Sequence, residues 1–448
     1  MTQKDRNLVL PLLPAAWLFA VPAALLAAVF DLCATPLVLW HRLRKRLPDR
    51  APHGRSASIV IPSWNGRDLL AQLLPSLRVA IERTGGSHET IVVDNGSDDG
   101  TAGFLRDEHG WVRVVQLPEN RFFVGGVRAG IAAARGDILV LLNNDMRVEP
   151  DFLKSLLARF GAADLFAVTG RIEMDGDKVE TGRTRITHKK GLLRFEQVDG
   201  PNDAPAIPAA WAGGGNAAFD AAKLRALDGM EELYAPCYAE DASLSWLAWK
   251  HGWRVEYEPS SVVHHLHRAT STRVFGRSEV EVLDRRNREL MFWRTVTDWR
   301  IVLAHVLWLP WNLRKEARRT GYAVQFRALW RAVPRLLTAL WLRQRARCTA
   351  RRSDRDTLRV ANDVTAYCRT LGAKPARTRV LVLHTEATAP RFVRESADVE
   401  VVHLKTAEFA RRAIAERYLD EVVLADEGAV GLAGPWLAGR DDITVTRV

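Results

Sequence analysis

Between Ser58 and Leu142 short β-branched runs alternate with stretches of helical periodicity, and this alternation narrows the possible folds more than any other feature of the chain. Ser58-Ile-Val-Ile-Pro62 is followed by an apolar periodic stretch from Leu69 to Ile81 and then by Glu89-Thr-Ile-Val-Val-Asp94. Val112-Arg-Val-Val-Gln116, a small-residue stretch from Gly125 to Ala134, and Asp137-Ile-Leu-Val-Leu-Leu142 continue the series. Strand, helix and strand at this spacing predict an α/β fold with a mostly parallel sheet and helices on both faces. In such sheets ligands settle beyond the carboxyl ends of the strands. Three polar clusters stand there: Ser63-Trp-Asn65, Asp94-Asn-Gly-Ser-Asp-Asp-Gly-Thr101 and Asn143-Asn-Asp145.

Taken in order, these clusters resemble family two of the glycosyltransferases, whose first half reads strand-Pro-x-x-Asn, strand-Asp-Asn-x-Ser-x-Asp-x-Thr and strand-Asn-x-Asp. The resemblance covers about residues 57 to 295. It implies a GT-A (nucleotide-diphospho-sugar transferase) fold and a rhamnosyltransferase-like member of the family. On the donor side it points to Pro62, Asn65, Asp94, Gly125, Gly126, Asn143 and Asn144. The Asp94 carboxylate suits the imide N–H of a pyrimidine, which makes UDP or dTDP the expected nucleotide rather than GDP. Asp-Asn-Gly-Ser is equally good turn chemistry, so a local cap is the competing role for Asp94.

The same resemblance makes Asp145 the ligand of a divalent metal, Mn2+ or Mg2+, that neutralises charge on the leaving nucleotide. Asn143 stands where many members carry Asp, leaving one formal charge fewer for the ion. In Ser261-Val-Val-His-His265-Leu-His267, His265 aligns best with the family's metal histidine, although His267, two residues on, would share its side of a strand. Tyr238-Ala-Glu240-Asp241 matches the Glu-Asp motif at a helix start and makes Asp241 the catalytic base, with Trp211, Gly214 and Glu240 on the acceptor side. Phe122 and Val127 replace the Gly and Asn that the family commonly has around Gly125 and Gly126. Arg285-Arg-Asn-Arg288 resembles the segment that often ends the catalytic domain, either to meet a lipid diphosphate or as an exposed basic helix face.

From Leu8 to Trp40 Asp31 is the only charged residue, and the run is long enough to cross a bilayer. Pro11, Pro14, Pro22 and Pro36 leave two shapes open, a single tilted span and a shallow helical hairpin bent near Pro22. Arg42, Arg44, Lys45 and Arg46 outnumber the preceding Lys4 and Arg6, which places the catalytic part in the cytoplasm at the cell inner membrane. The apolar run is too long, and its basic block on the wrong side, for a cleaved signal peptide. Residues 298–355 hold 14 Lys and Arg against 3 Asp and Glu, an excess equal to the formal +11 of the whole chain. Trp299, Trp308, Trp311, Trp330 and Trp341 lie among those cations. Trp beside Arg on an amphipathic stretch suits the lipid headgroup zone, so the expected anionic partner is membrane lipid and no nucleic acid. A basic helical pair packed on the catalytic domain is the alternative.

These readings divide the chain into a membrane anchor with its basic flank (1–50), a glycosyltransferase domain (55–297), an amphipathic segment (298–355) and a small C-terminal α/β unit (356–448). Cys33, Cys237, Cys348 and Cys368 are far apart and read as reduced thiols. The expected activity is inverting transfer of a hexose or deoxyhexose to a lipid-linked or polysaccharide acceptor in cell-envelope glycan synthesis. The alternatives are transfer to a polyprenyl phosphate and a catalytically weakened scaffold.

Overall fold

The computed structural model describes residues 3–44, 47–174, 179–180, 182–198, 207–265, 274–370, 380–385, 399–415, 419, 421–438, 440 and 443–447. His267, Lys45 and Arg46 lie outside the described residues. In chain order the first helices are α1 (Gln3–Arg44), α2 (Arg67–Thr84), α3 (Thr101–Glu108), α4 (Phe122–Ala133), α5 (Phe152–Ala158) and α6 (Ala221–Ala226). They are followed by α7 (Glu240–His251), α8 (Arg277–Thr295), α9 (Trp299–Thr320), α10 (Tyr322–Thr349) and α11 (Asp354–Asn362). The strands are β1 (Ala57–Ser63), β2 (His88–Asp94), β3 (Val112–Gln116), β4 (Ile138–Leu142), β5 (Met146–Val148) and β6 (Leu165–Met174). Next come β7 (Val179–Glu180), a hairpin of β8 (Thr184–Lys189) and β9 (Leu192–Gln197), β10 (Ile207–Pro208), β11 (Asn216–Asp220) and β12 (Arg254–His265).

The main sheet runs β10-β12-β6-β11-β4-β1-β2-β3, with β5 beside β12 and β7 beside β6. β4, β1, β2 and β3 are parallel, as the strand and helix alternation predicts. β11 then enters antiparallel between β4 and β6, so the sheet as a whole is mixed. Alternate side chains of each central strand explain the two covered faces. Ile59, Ile61, Val140 and Leu142 pack with Leu70 and Leu74 of α2 and Leu156 of α5. Val60, Val93, Leu139 and Leu141 face the other way, toward Val127 of α4 and Trp246 of α7. A strand apolar at every position therefore requires helices on both sides.

Residues Gln3–Arg44 form one continuous helix, which removes the hairpin alternative. Its stretch Ala16–Trp40 is long and apolar enough to cross a membrane by length and composition. The helix does not stand clear of the protein. Ala16, Ala20, Ala23 and Ala27, spaced four, three and four apart, are buried in the core that contains Val60 and Leu139. Leu18, Leu25 and Leu32, a heptad apart, are 75%, 64% and 76% exposed. Small residues thus let α1 lie against α9 and α10, while its leucines face outward.

The one acid of the apolar stretch of α1, Asp31, is also spoken for. Asp31 pairs with Arg343 of α10, whose Nε lies 3.0 Å from Oδ1 and whose Nη2 lies 3.0 Å from Oδ2. Gln344 Nε2 donates to Asp31 Oδ1 at 2.8 Å, and Trp17 Nε1 donates to the Val306 carbonyl at 3.0 Å. Arg343 is fully buried. Removing one partner of a buried pair leaves an uncompensated charge, a loss of about 3 kcal/mol or more. Asp31→Ala is accordingly expected to lower the unfolding midpoint of the detergent-solubilised protein clearly, while Arg319→Ala, on an exposed position, leaves it near the wild-type value.

The segment 298–355 packs one face on the rest of the chain and leaves another uncovered. Lys250 Nζ donates to Asp354 Oδ1 at 2.8 Å, and Asp354 Oδ2 accepts from the amides of Thr297 and Asp298, which ties the segment to α7 and α8. On α9, His305 Nε2 meets Glu289 Oε2 at 3.1 Å. Against burial, which raises it, Arg285 and a hydrogen bond with His305 hold the Glu289 carboxyl down to about 2. The opposite faces stay uncovered: Leu307, Trp311, Trp330 and Trp341 are exposed. The C-terminal strands Val380–His384, Val399–His403, Glu421–Leu424 and Thr444–Arg447 form a separate parallel sheet, and the first three are short β-branched runs of the kind that predicts strands.

Candidate active site

A cavity of about 410 Å³ opens at the carboxyl ends of β1 and β4. Its lining brings together Pro62, Asn143, Asn144, Asp145, Gly214, Glu240, Asp241 and His265, eight of the residues singled out from sequence. Asn65, Asp94, Gly125, Gly126 and Trp211 are not part of that lining.

The β4 loop reaches the cavity through close backbone contacts. Asn143 N donates to the Gly215 carbonyl at 3.0 Å, and a Cβ on Gly215 would run into the Asn143 side chain. Asn144 Nδ2 donates to Ser63 Oγ at 2.9 Å, joining this loop to the end of β1. Asp145 comes next and leads into β5, which pairs antiparallel with the end of β12, with Met146 opposite His265. That register places His265 Nε2 3.3 Å from Asp145 Oδ2 across 120 positions of sequence. Asp145 Oδ1 is buried and makes no hydrogen bond among the described residues. Strand alternation turns His264 the other way, to Glu149 Oε1 at 2.7 Å.

Among the described residues no group of three or more His, Cys, Asp or Glu side chains is arranged to hold a metal. A carboxylate with one unsatisfied oxygen beside an imidazole nevertheless fits Mg2+ or Mn2+ that takes its remaining oxygen ligands from phosphates and water. A buried polar oxygen left without a partner is costly unless something else supplies one.

Asp94 ends β2 fully buried. Its Oδ1 accepts from Ser97 N at 3.0 Å, so the turn-capping role is realised with one oxygen. Its Oδ2 is buried without a hydrogen-bond partner. Asn65 sits at φ +48° and braces the same loop, accepting from Asp98 N at 3.0 Å. Gly125 and Gly126 lie in the first turn of α4 rather than in an open loop. A Cβ on Gly126 would come within 3.2 Å of Asn95 Nδ2 and 3.3 Å of Pro62, so this glycine lets the helix approach the strand ends. Trp211 is fastened to β8, its amide donating to Thr184 Oγ1 at 2.8 Å, and packs edge-on against Phe195.

Glu240 and Asp241 open α7 directly under the glycine loop. Gly214 N donates to Asp241 Oδ2 at 3.3 Å, and Ala242 N donates to Oδ1 at 2.7 Å. Burial pushes the Asp241 carboxyl above the usual aspartate range, partly offset by those amides. Glu240 is raised further, by burial and then by the neighbouring Asp241, and its Oε2 is buried without a partner. Two adjacent carboxyls in one desolvated site cannot both ionise easily, and the two amides that oppose the rise at Asp241 favour it over Glu240 as the base.

Several contributors were not legible from the motifs. Phe122, Phe123, Tyr238, Val274 and Phe275 line the cavity, and the rings of Phe122 and Phe275 lie 5.5 Å apart. Phe122, Tyr238 and Ala239 have φ of +57°, +78° and +68°, backbone strain gathered around the site. Asn287 restrains the strained loop, its Nδ2 lying 2.8 Å from the Cys237 carbonyl and 2.9 Å from that of Tyr238. Arg286 Nη2 adds a bond to Ala235 O at 2.6 Å. Arg285 pairs with Glu289 and Arg288 with Asp284, so the Arg-Asn segment is not a bare basic face, and neither of these two arginines is a free phosphate site. The segment's resemblance to a family motif was the available signal; its role in gripping this loop was not readable.

Residues 58–217 match the family model described as Glycosyl transferase family 2. Among curated proteins, the chain is 32% identical over 123 residues to the undecaprenyl-phosphate 4-deoxy-4-formamido-L-arabinose transferase of Edwardsiella ictaluri (strain 93-146), covering 26% of this chain and 37% of that one. It is 28% identical over 128 residues to the protein of the same name from Klebsiella pneumoniae subsp. pneumoniae, covering 28% and 38%. The chain therefore spans little more than a third of the length of these relatives. A crystal structure of GalNAc-T7 with UDP, GalNAc and Mn2+ superposes with a TM-score of 0.46 at 15% identity, over 61% of this chain and 53% of that one, a likeness too low to carry weight. The motifs, their meeting in one cavity and the family match all point to glycosyltransferase family 2 for residues 58–217.

Proposed function

We propose that the protein transfers a sugar, with inversion, from a nucleoside diphosphate donor to a hydroxyl of a lipid-linked acceptor at the cytoplasmic face of the cell inner membrane. The observation that carries the reading is the raised carboxyl pair Glu240 and Asp241 facing Asp145 and His265 across one cavity. An acceptor hydroxyl needs a base, whereas a phosphate acceptor is already ionised at neutral pH. Asp241 therefore favours a hydroxyl acceptor over direct transfer to a polyprenyl phosphate, although the relatives' names include undecaprenyl phosphate.

In the reaction, Asp241 takes the proton of the acceptor hydroxyl while that oxygen forms a bond to the anomeric carbon. The bond from this carbon to the diphosphate oxygen breaks, and the nucleoside diphosphate leaves with the electron pair. Asp145 and His265 would hold a divalent cation, which supplies charge neutralisation for the departing diphosphate when bound. Asp94 offers its unpaired oxygen to the imide of a pyrimidine, in favour of UDP or dTDP. Phe122, Phe123 and Phe275 wall the cavity and keep water from the reacting carbon, and Asn287 holds the loop that carries the carboxyl pair.

A panel of UDP, dTDP and GDP sugars with Mn2+ or Mg2+ tests the proposal. A pyrimidine donor is expected to raise the unfolding temperature only with metal, by selective binding to the native state, and to be hydrolysed slowly without acceptor. Absence of both responses with every donor would leave the weakened-scaffold alternative in place.

A further inference from the structure

A second cavity, of about 480 Å³, lies between α8 and α10 and is lined by Arg286, Trp330, Arg331, Val333 and Pro334. Its cations outnumber its anions. Arg286 is 5% exposed and has no carboxylate partner among the described residues. Arg335 spends its Nη1 on the carbonyls of Leu233 and Ala235, and only Arg331 reaches an acid, Glu279. Burial, with Arg335 and Arg331 nearby, pushes the Arg286 guanidinium down to about 10, an effect that Cys237 and Glu279 only partly offset.

The rest of the lining is apolar and continues outward. Trp330, Val333, Leu337 and Trp341 are 70%, 48%, 56% and 57% exposed, and their spacing puts them on one stripe of α10. Arg286 also grips Ala235, two residues before Cys237 and Tyr238 of the catalytic cavity. One short loop therefore separates the two cavities.

We propose that this cavity holds the phosphate of the lipid-linked acceptor, with Arg286 and Arg331 meeting the phosphate and the α10 stripe carrying the hydrocarbon chain. A buried guanidinium, Arg286, beside an exposed one, Arg331, recognises an anion, and an adjoining apolar stripe selects one attached to a lipid. The inference rests on the glycosyltransferase reading and adds where the acceptor is anchored: its phosphate lies apart from the reacting hydroxyl.

The test is native mass spectrometry of the full chain in a non-ionic detergent, titrated with a polyprenyl phosphate, with phosphatidylglycerol and with inorganic phosphate. The wild-type protein is expected to prefer the polyprenyl phosphate over phosphatidylglycerol by at least about tenfold, roughly 1.4 kcal/mol. Excess inorganic phosphate, which lacks the chain, should displace little. Arg331→Gln and Val333→Trp, both at exposed positions, should each abolish the preference, the first by removing charge and the second by filling the space. Equal binding of the two lipids, a preference kept by either variant, or displacement by inorganic phosphate would each overturn the assignment. Donor hydrolysis without acceptor, measured on the same wild-type preparation, reports separately on the transferase reading.

Discussion

Asp241→Asn is expected to lower sugar transfer by about two to four orders of magnitude while donor binding stays near the wild-type level, because the amide keeps the shape of the carboxylate and loses its basicity. Oδ2 of Asp241 accepts from Gly214 N and Oδ1 from Ala242 N, and an amide oxygen retains one of these bonds. The pH profile gives a second readout. The base works only when ionised, so the wild-type rate rises as pH passes upward through the apparent value of the Glu240 and Asp241 pair. Burial raises that pair, which moves the acidic limb above the ordinary carboxylate range. In the Asn variant the residual rate should lose this limb. Wild-type transfer by the variant, or an unchanged limb, would remove Asp241 from the role.

Asp145→Ala is expected to abolish metal-dependent donor binding. In the proposed site Asp145 and His265, 3.3 Å apart, would hold the ion together, and the histidine alone supplies no negative charge. Loss of a mere supporting partner of a metal ligand weakens metal affinity by about 10- to 100-fold, and loss of the carboxylate itself should exceed that. Calorimetry with UDP or dTDP, with and without Mn2+, measures the difference. The variant should bind the nucleotide equally weakly in both conditions. A metal-dependent affinity equal to wild type would place the ion elsewhere. Stability should change little or rise, since Asp145 Oδ1 is a buried acceptor without a partner in the free protein.

The coupling of α1 to the body changes what a truncation reports. Deleting residues 1–46 would uncover the core surface beneath Ala16, Ala20, Ala23 and Ala27 and strand Arg343, so loss of membrane binding in such a protein would be confounded with unfolding. Substitutions at Trp330 or Trp341, both exposed, probe the lipid surface without that complication.

Local pattern was enough for much of this chain. The parallel strands from Ala57 to Leu142 and three of the C-terminal strands were legible because their apolar runs are short, β-branched and separated by helical periodicity. Asp94, Asp145 and Asp241 sit where a strand ends or a helix begins, which local sequence shows, but it was the resemblance to the family's motifs that singled them out. Tertiary structure decided what depends on partners remote in sequence. Asp145 meets His265 because β5 pairs with β12, a register set by long-range hydrogen bonds that no local window contains. The same register turns His264 to Glu149 and leaves His265 at the cavity, while His267, the other candidate from sequence, lies outside the described residues. Asp31 reads as an oddity in an apolar run until Arg343, 312 residues away, is seen to neutralise it. The basic excess of residues 298–355 was plain in the composition, but whether an arginine is buried, paired or left facing a cavity depends on which helix face the core takes, and only packing determines that.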